Sequence, residues 1–234
     1  MTTQEEISNI FNSDGKLLQI EYGLEAVNNA LPVVTVKSKS MIVCASKKAP
    51  RDKLEESDST SFYKVSEKCY VAITGLPGDI DYVVKRIKMV ANSKTFSFGT
   101  EVTPDILCRS FADKIQKLIQ SSEERSAAFN ASIFGFDGEK ATIYQTDMSG
   151  ISYPCYGTAA GERHGKMTKF IEKSYRRDIE DKELFEIAIG ALLESIGADS
   201  GCSEIEVGYL RAGKDLCYLS AKEIDKILQD IAEK

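Results

Sequence analysis

The sequence predicts a single α+β domain spanning residues 1–234, and three observations support this prediction. Short segments rich in β-branched residues occur in pairs, which is typical of β-hairpins. Between the pairs lie longer segments whose apolar residues recur every three or four positions, the period of a helix. No linker-like stretch divides these alternating groups, so the chain fits one domain with a shared core.

Four strand pairs are predicted. The pair around Asp137-Gly138 has the clearest signal, because Asp-Gly suits the tight turn of a hairpin. A further strand is expected after the turn at Asp147-Met148-Ser149-Gly150. The predicted pairs are residues 33–36 with 41–45, 62–65 with 69–74, 129–136 with 141–146, and 205–210 with 215–219.

Helical periodicity separates these strand pairs. Apolar residues recur on one face over residues 80–91, and Thr103-Pro104-Asp105 forms a good start for a second helix, with Thr103 as the cap. Later helices are predicted for residues 162–175 and from an Asp181 cap to Gly197.

The final helix has the fullest start signal. Ser220 and Glu223 are spaced as a capping box, and Leu219 and Ile224 are placed as its hydrophobic staple.

Composition narrows the function classes. The chain is 42% hydrophobic and 28% charged, as in ordinary globular proteins, and its net charge of −6 argues against general nucleic-acid binding. The N-terminus lacks the pattern of a signal peptide, and no segment approaches the roughly 20 apolar residues that span a bilayer. We expect a protein of the cytoplasm and nucleus, without nucleic-acid or membrane partners.

The cysteines and the single histidine indicate no metal site and no cofactor. The cysteines are scattered without a C-x-x-C pair, so reduced core residues are expected. His164 lies at the polar start of a helix, and a histidine-dependent hydrolase would have to rely on it alone. The cysteines are Cys44, Cys69, Cys108, Cys155, Cys202 and Cys217.

The opening of the chain carries its most specific motif. Residues 1–12 are predicted to form a polar tail, and residues 14–29 a helix that follows the Asp14-Gly15 turn. The stretch from Ser13 resembles the signature S-P-x-G-R-L-x-Q-V-E-Y-A-x-x-A-V of α-type subunits of the 20S proteasome. The seven identities are Gly15, Leu17, Gln19, Glu21, Tyr22, Ala26 and Val27, and the predicted apolar face is Leu17, Ile20, Leu24 and Val27.

Other stretches extend the resemblance along the chain. Asp147-Met148-Ser149-Gly150 is similar to the family's D-P-x-G turn without its Pro, and Ala159-Ala160-Gly161 is similar to its A-x-G. Residues 47–54 resemble K-K-V-P-D-K-L of the iota type (α1, α type-6) among the seven α types. The resemblance implies a four-layer α-β-β-α sandwich of two antiparallel sheets, the N-terminal-nucleophile hydrolase fold, with an extra N-terminal helix.

The resemblance also implies a subunit that does not cut peptides. Catalytic β-type relatives use an N-terminal Thr whose own amine is the base. Leu31 stands about where that Thr would be, and Lys47 about where its supporting Asp would be. The implied partners are six other α-type subunits in a hetero-heptameric ring, a β-type ring, and a regulatory particle or other activators at the α-ring face.

Site residues follow from the resemblance alone. Lys64 is the nearby candidate for the activator-pocket lysine, whose aligned position falls near Ser61. The implied gate and pore residues are Gln4, Glu5, Glu6, Ser13, Gly15 and Tyr22. The implied ring-assembly residues are Leu17, Gln19, Ile20, Glu21, Leu24 and Val27.

Two alternatives remain open from the sequence. One is an active N-terminal-nucleophile hydrolase of the same fold, which should have lost about its first thirty residues by self-cleavage. The other is a free-standing binding module that assembles with nothing.

Overall fold

The computed structural model describes residues 11–49, 54, 60–120, 125–197 and 199–233. Two five-stranded antiparallel sheets stack face to face, and helices cover both outer faces. This arrangement confirms the predicted four-layer sandwich. The tail residues 1–10, and residues 50–53 of the stretch that resembles the iota type, lie outside the described residues.

The first sheet has the strand order β10-β9-β2-β1-β8. Its core strand β2 is buried at six of seven positions, because helices cover one face of the sheet and the second sheet covers the other. The strands are β1 (Val33–Lys37), β2 (Met41–Lys47), β8 (Gly157–Ala160), β9 (Ile205–Arg211) and β10 (Cys217–Tyr218).

The second sheet has the order β3-β4-β5-β6-β7. Its strands are β3 (Phe62–Lys64), β4 (Cys69–Gly75), β5 (Phe129–Asp137), β6 (Lys140–Asp147) and β7 (Tyr153–Cys155). The four predicted pairs and the expected strand after Gly150 are confirmed. The chain passes from β7 in this sheet to β8 in the other through Tyr156, and the sequence did not indicate β8 as a strand.

Six helices occur within the described residues. None of these helices has the length and apolar character required to cross a membrane. They are α1 (Leu18–Asn28), α2 (Pro77–Phe98), α3 (Pro104–Ile119), α4 (His164–Ser174), α5 (Asp181–Ile196) and α6 (Ala221–Ala232), and a 3-10 turn spans Cys202–Glu204.

The core consists of three layers. Helices α2 and α3 pack on the second sheet, helices α4, α5 and α6 pack on the first, and a central layer fills the space between the sheets. In that central region Thr35 of β1 and Ser132 of β5 share a hydroxyl hydrogen bond of 2.8 Å, which joins the two sheets.

Two predicted helix starts and one predicted capping bond differ from the structure. Helix α1 begins at Leu18 rather than at residue 14, because Asn12 accepts the N–H groups of Asp14 and Lys16 and holds those residues in a turn. Thr103 occupies the N-cap position of α3, but its side chain makes no capping hydrogen bond.

The third difference concerns α5. Its N-cap is Glu180, and Asp181 is the first helical residue. The Asp181 carboxylate accepts a hydrogen bond from Ser40 (2.7 Å) and pairs with Arg211 (3.1 Å), so it ties the β1–β2 turn and the end of β9 to the helix instead of capping it.

The predicted capping box of α6 is confirmed. Ser220 Oγ accepts the Glu223 N–H at 3.4 Å, and the Glu223 carboxylate accepts the Ser220 N–H at 2.8 Å. Leu219 and Ile224 pack in the same apolar cluster, as expected for a staple.

Candidate functional site

Helix α1 lies on the second sheet, where it contacts β4 and β5. Val27 is 3% exposed within the apolar cluster under this helix. Leu17, Ile20 and Leu24 are half-buried and pack against the same cluster. The apolar face predicted from their spacing is therefore the face that attaches α1 to the body of the protein.

The opposite face of α1 is open to solvent. Tyr22 is 64% exposed, Glu21 is exposed beside it, and Gln19 is half-buried. Glu21 lies in the first turn of the helix, where a negative charge complements the helix dipole. This face therefore presents an aromatic ring and a carboxylate away from the protein's own core.

The turn ahead of α1 places Ser13 and Gly15 on the surface. Gly15 has a φ of +72°, a left-handed conformation that suits glycine. Its N–H donates to the Asn12 carbonyl at 3.0 Å, which closes the turn. The implied gate residues Gln4, Glu5 and Glu6 lie outside the described residues.

The backbone at Leu31 is fixed in mid-chain. The Leu31 carbonyl accepts a hydrogen bond from Thr74 Oγ1 at 2.6 Å, and the neighbouring Ala30 carbonyl accepts the Glu162 N–H at 2.8 Å. A side chain at Gly161 would lie 2.4 Å from the Leu31 oxygen, so the two segments are in close contact. The Leu31 side chain offers no nucleophile, and the residues shortly before it, Leu18–Asn28, form α1.

Four of the cysteine thiols are buried and poorly reactive. Burial raises the pKa of the Cys69 and Cys155 thiols to about 12 and that of Cys108 to about 11. Burial also raises the pKa of Cys44. These thiols are protonated at neutral pH, and a protonated thiol is a poor nucleophile.

His164 is exposed on the surface, at the first residue of α4. Within the part of the chain that the structure describes, His, Cys, Asp and Glu side chains do not gather in threes at a spacing that could hold a metal ion.

Comparisons with known proteins decide the family. Residues 27–210 match the family described as "Proteasome subunit". The chain is 31% identical to "Proteasome subunit alpha type-7" of Trypanosoma brucei brucei, over 96% of this chain and 91% of that protein. The chain belongs to the family of α-type proteasome subunits.

Two further relatives of this α-type subunit come from organisms that are distant from each other. It is 31% identical to "Proteasome subunit alpha type-8" of Mus musculus, over 95% of this chain and 90% of the relative. It is 30% identical to "Proteasome subunit alpha" of Pyrobaculum aerophilum, over 94% of this chain and 88% of the relative. Each alignment spans nearly the full length of both chains.

The α-type subunit is a non-catalytic component of the 20S proteasome core, where it assembles with other subunits. The identity of residue 31 gives the physical reason, because the family's catalytic chemistry requires an N-terminal Thr and the Leu31 side chain carries no hydroxyl. The alternative of an active hydrolase with the same fold is not favoured.

Lys64 of this subunit is already paired with acids of its own chain. Its ammonium group lies 3.0 Å from Glu67 and 3.0 Å from Asp215, and the hydrogen bonds that it donates to these carboxylates raise the pKa of Lys64. Tyr70 also donates its hydroxyl to Asp215 at 2.7 Å. An activator carboxylate that bound Lys64 would have to compete with these two intrachain acids.

Proposed function

We propose that this subunit occupies one position of a hetero-heptameric α ring with six other α-type subunits. In this proposal the ring stacks on a β-type ring and lies at the substrate entrance of the 20S core, where a regulatory particle or other activators dock. The particle degrades unfolded protein chains in ubiquitin-dependent catabolism, in the cytoplasm and nucleus.

The observation that carries this proposal is the two-sided character of α1. One face is bound to the body through Val27, while Tyr22 and Glu21 face outward on a rigid helix. An exposed aromatic side chain supplies a large contact area at low conformational-entropy cost. We assign this outer face to contacts with the neighbouring α subunit and with the entrance to the pore.

Replacing Tyr22 tests this assignment. Because Tyr22 is exposed, Tyr22→Ala should change the free energy of unfolding of the isolated chain by less than about 0.5 kcal/mol. The same variant should reduce the fraction of tagged chain found in assembled particles. Tyr22→Phe is the matched control, since it retains the ring and removes only the hydroxyl. Assembly and basal peptide hydrolysis that are both unchanged in Tyr22→Ala would refute the assignment.

The type of α subunit is a separate proposal. Relatives named type-7 and type-8 support a type-7-like position in the ring. The iota type that the sequence of residues 47–54 indicated has no support among these relatives. Identity alone separates types weakly, because the archaeal relative named simply "alpha" is 30% identical. Cross-linking in the purified particle, followed by identification of the two adjacent α chains, would assign the position.

A further inference from the structure

Helix α1 approaches the body of the protein most closely at Gly23. A Cβ atom at this position would lie 2.2 Å from Cε and 2.3 Å from Sδ of Met148. Gly23 is buried, and Met148 is fully buried at 0% exposure. The absence of a side chain at residue 23 therefore provides the space that the end of the Met148 side chain occupies.

The turn that carries Met148 is held in place on its other side. The Gly150 N–H donates to the Asp147 carbonyl at 3.1 Å, and the Ser149 N–H donates to the Asp147 carboxylate at 2.8 Å. A Cβ at Gly150 would lie 3.1 Å from the Gln116 nitrogen of α3. The turn therefore lies between α1 and α3, and a Cβ at residue 23 would have to displace the flexible end of the Met148 side chain, which is fully buried.

Local helix energetics give no reason for a glycine here. Glycine in a helix interior is less favourable than alanine, because it loses more backbone entropy on folding. The signature described above has Ala where this chain has Gly23, and the D-P-x-G turn has Pro where this chain has Met148. These two departures from the pattern are in direct contact in the structure.

We infer that Gly23 and Met148 are a matched pair, in which Met148 sets the depth and rotation of α1 on the sheet. Met148 is then a positioning residue that acts through α1 on Tyr22, which precedes Gly23 in the helix. Its effect on assembly rests on the proposed function of the outer face of α1. Restoring a side chain at residue 23 should lift the helix and displace that face.

The experiment is a double-mutant cycle of Gly23→Ala, Met148→Ala and the two combined. Each full-length chain is tagged and expressed with its native partners, and incorporation into particles is measured per folded chain. Urea unfolding of the isolated chains is measured in parallel. Gly165→Ala is the matched control, because a Cβ at this exposed helical glycine meets no atom within 4 Å.

We expect Gly23→Ala to lower incorporation per folded chain at least tenfold, and Gly23→Ala with Met148→Ala to recover to within about threefold of wild type. Gly165→Ala should behave as wild type. A residue that only stabilised the fold would change the amount of folded chain but not incorporation per folded chain. If the single variant does not fold, recovery of folded yield in the double variant provides the same comparison.

Two results would overturn the inference. The first is wild-type incorporation and stability of Gly23→Ala, which would show that Met148 simply moves aside. The second is additivity, in which the loss of incorporation and stability in the double variant equals the sum of the losses in the two single variants. Additive losses would show that the residues act independently. If the wild-type chain itself enters no particle, the proposed function fails, while the unfolding cycle still decides whether the pair is coupled.

Discussion

Shortening the Val27 side chain should weaken the packing of α1 on the sheet and lower the free energy of unfolding. Val27 is 3% exposed, and Val27→Ala removes two buried methyl groups. Burying each methyl group away from water stabilises the folded state by about 0.8 kcal/mol, and the cavity left by their removal costs about 1 kcal/mol more. The higher helix propensity of Ala offsets roughly 0.5 kcal/mol. The free energy of unfolding should therefore fall by about 2 kcal/mol.

Urea unfolding of the isolated chain measures this loss. With a denaturant slope of about 2.5 kcal/mol per M, the midpoint of Val27→Ala should fall by roughly 0.8 M. Glu25→Ala, on the exposed side of the same helix, is the control and should shift the midpoint by less than about 0.2 M. Equal midpoints for Val27→Ala and wild type would refute the inference that α1 is attached through this face.

Three further predictions concern the start of α1, the start of α2 and the tail. Leu17→Asp should reduce particle assembly but lower the free energy of unfolding by less than Val27→Ala does. Leu17 is only half-buried, and Asp suits its N-cap position. A urea midpoint below that of Val27→Ala would contradict this. Arg125 and the Ala128 N–H lower the pKa of Asp79, so its stabilisation is present above pH 4 and is lost as pH falls through the lowered value. Asp79→Asn should lose about 1.5 kcal/mol at pH 7 and progressively less as the pH falls below about 4; a loss that does not change with pH would refute the ion pair's role. Deleting residues 1–6, which offer neither an aromatic ring nor a cation, should leave basal peptide hydrolysis of the whole particle unchanged, whereas a several-fold rise would make this tail part of the gate.

Periodicity and turn chemistry predicted most of the secondary structure. The Asp137-Gly138 turn and the Ser220 capping box are local signals, and local signals depend on residues that are adjacent in the chain. Strand β8 was missed because Gly157–Ala160 is short and lacks a β-branched run, so only its pairing with β1 makes it a strand. The stacking of the two sheets is a long-range property and came from the family resemblance.

The site was predictable to a similar degree. The spacing of the apolar residues identified the face of α1 that packs on the sheet, since a helix period shows which side chains share a face. The contact between Gly23 and Met148 joins residues 125 positions apart, and no local pattern indicates it. Likewise, the pairing of Lys64 with Asp215 depends on how the two sheets stack, because β3 belongs to one sheet and the β9–β10 connection to the other.

Peptide mapping of this chain, recovered from purified native particles, tests whether it is an uncleaved α-type subunit of the particle. Such a subunit is present in the particle, and its backbone runs unbroken through Ala30 and Leu31. We expect a peptide that crosses this junction in stoichiometric amount. A chain that begins at Leu31 in the particle, or one that is absent from the particle altogether, would contradict it.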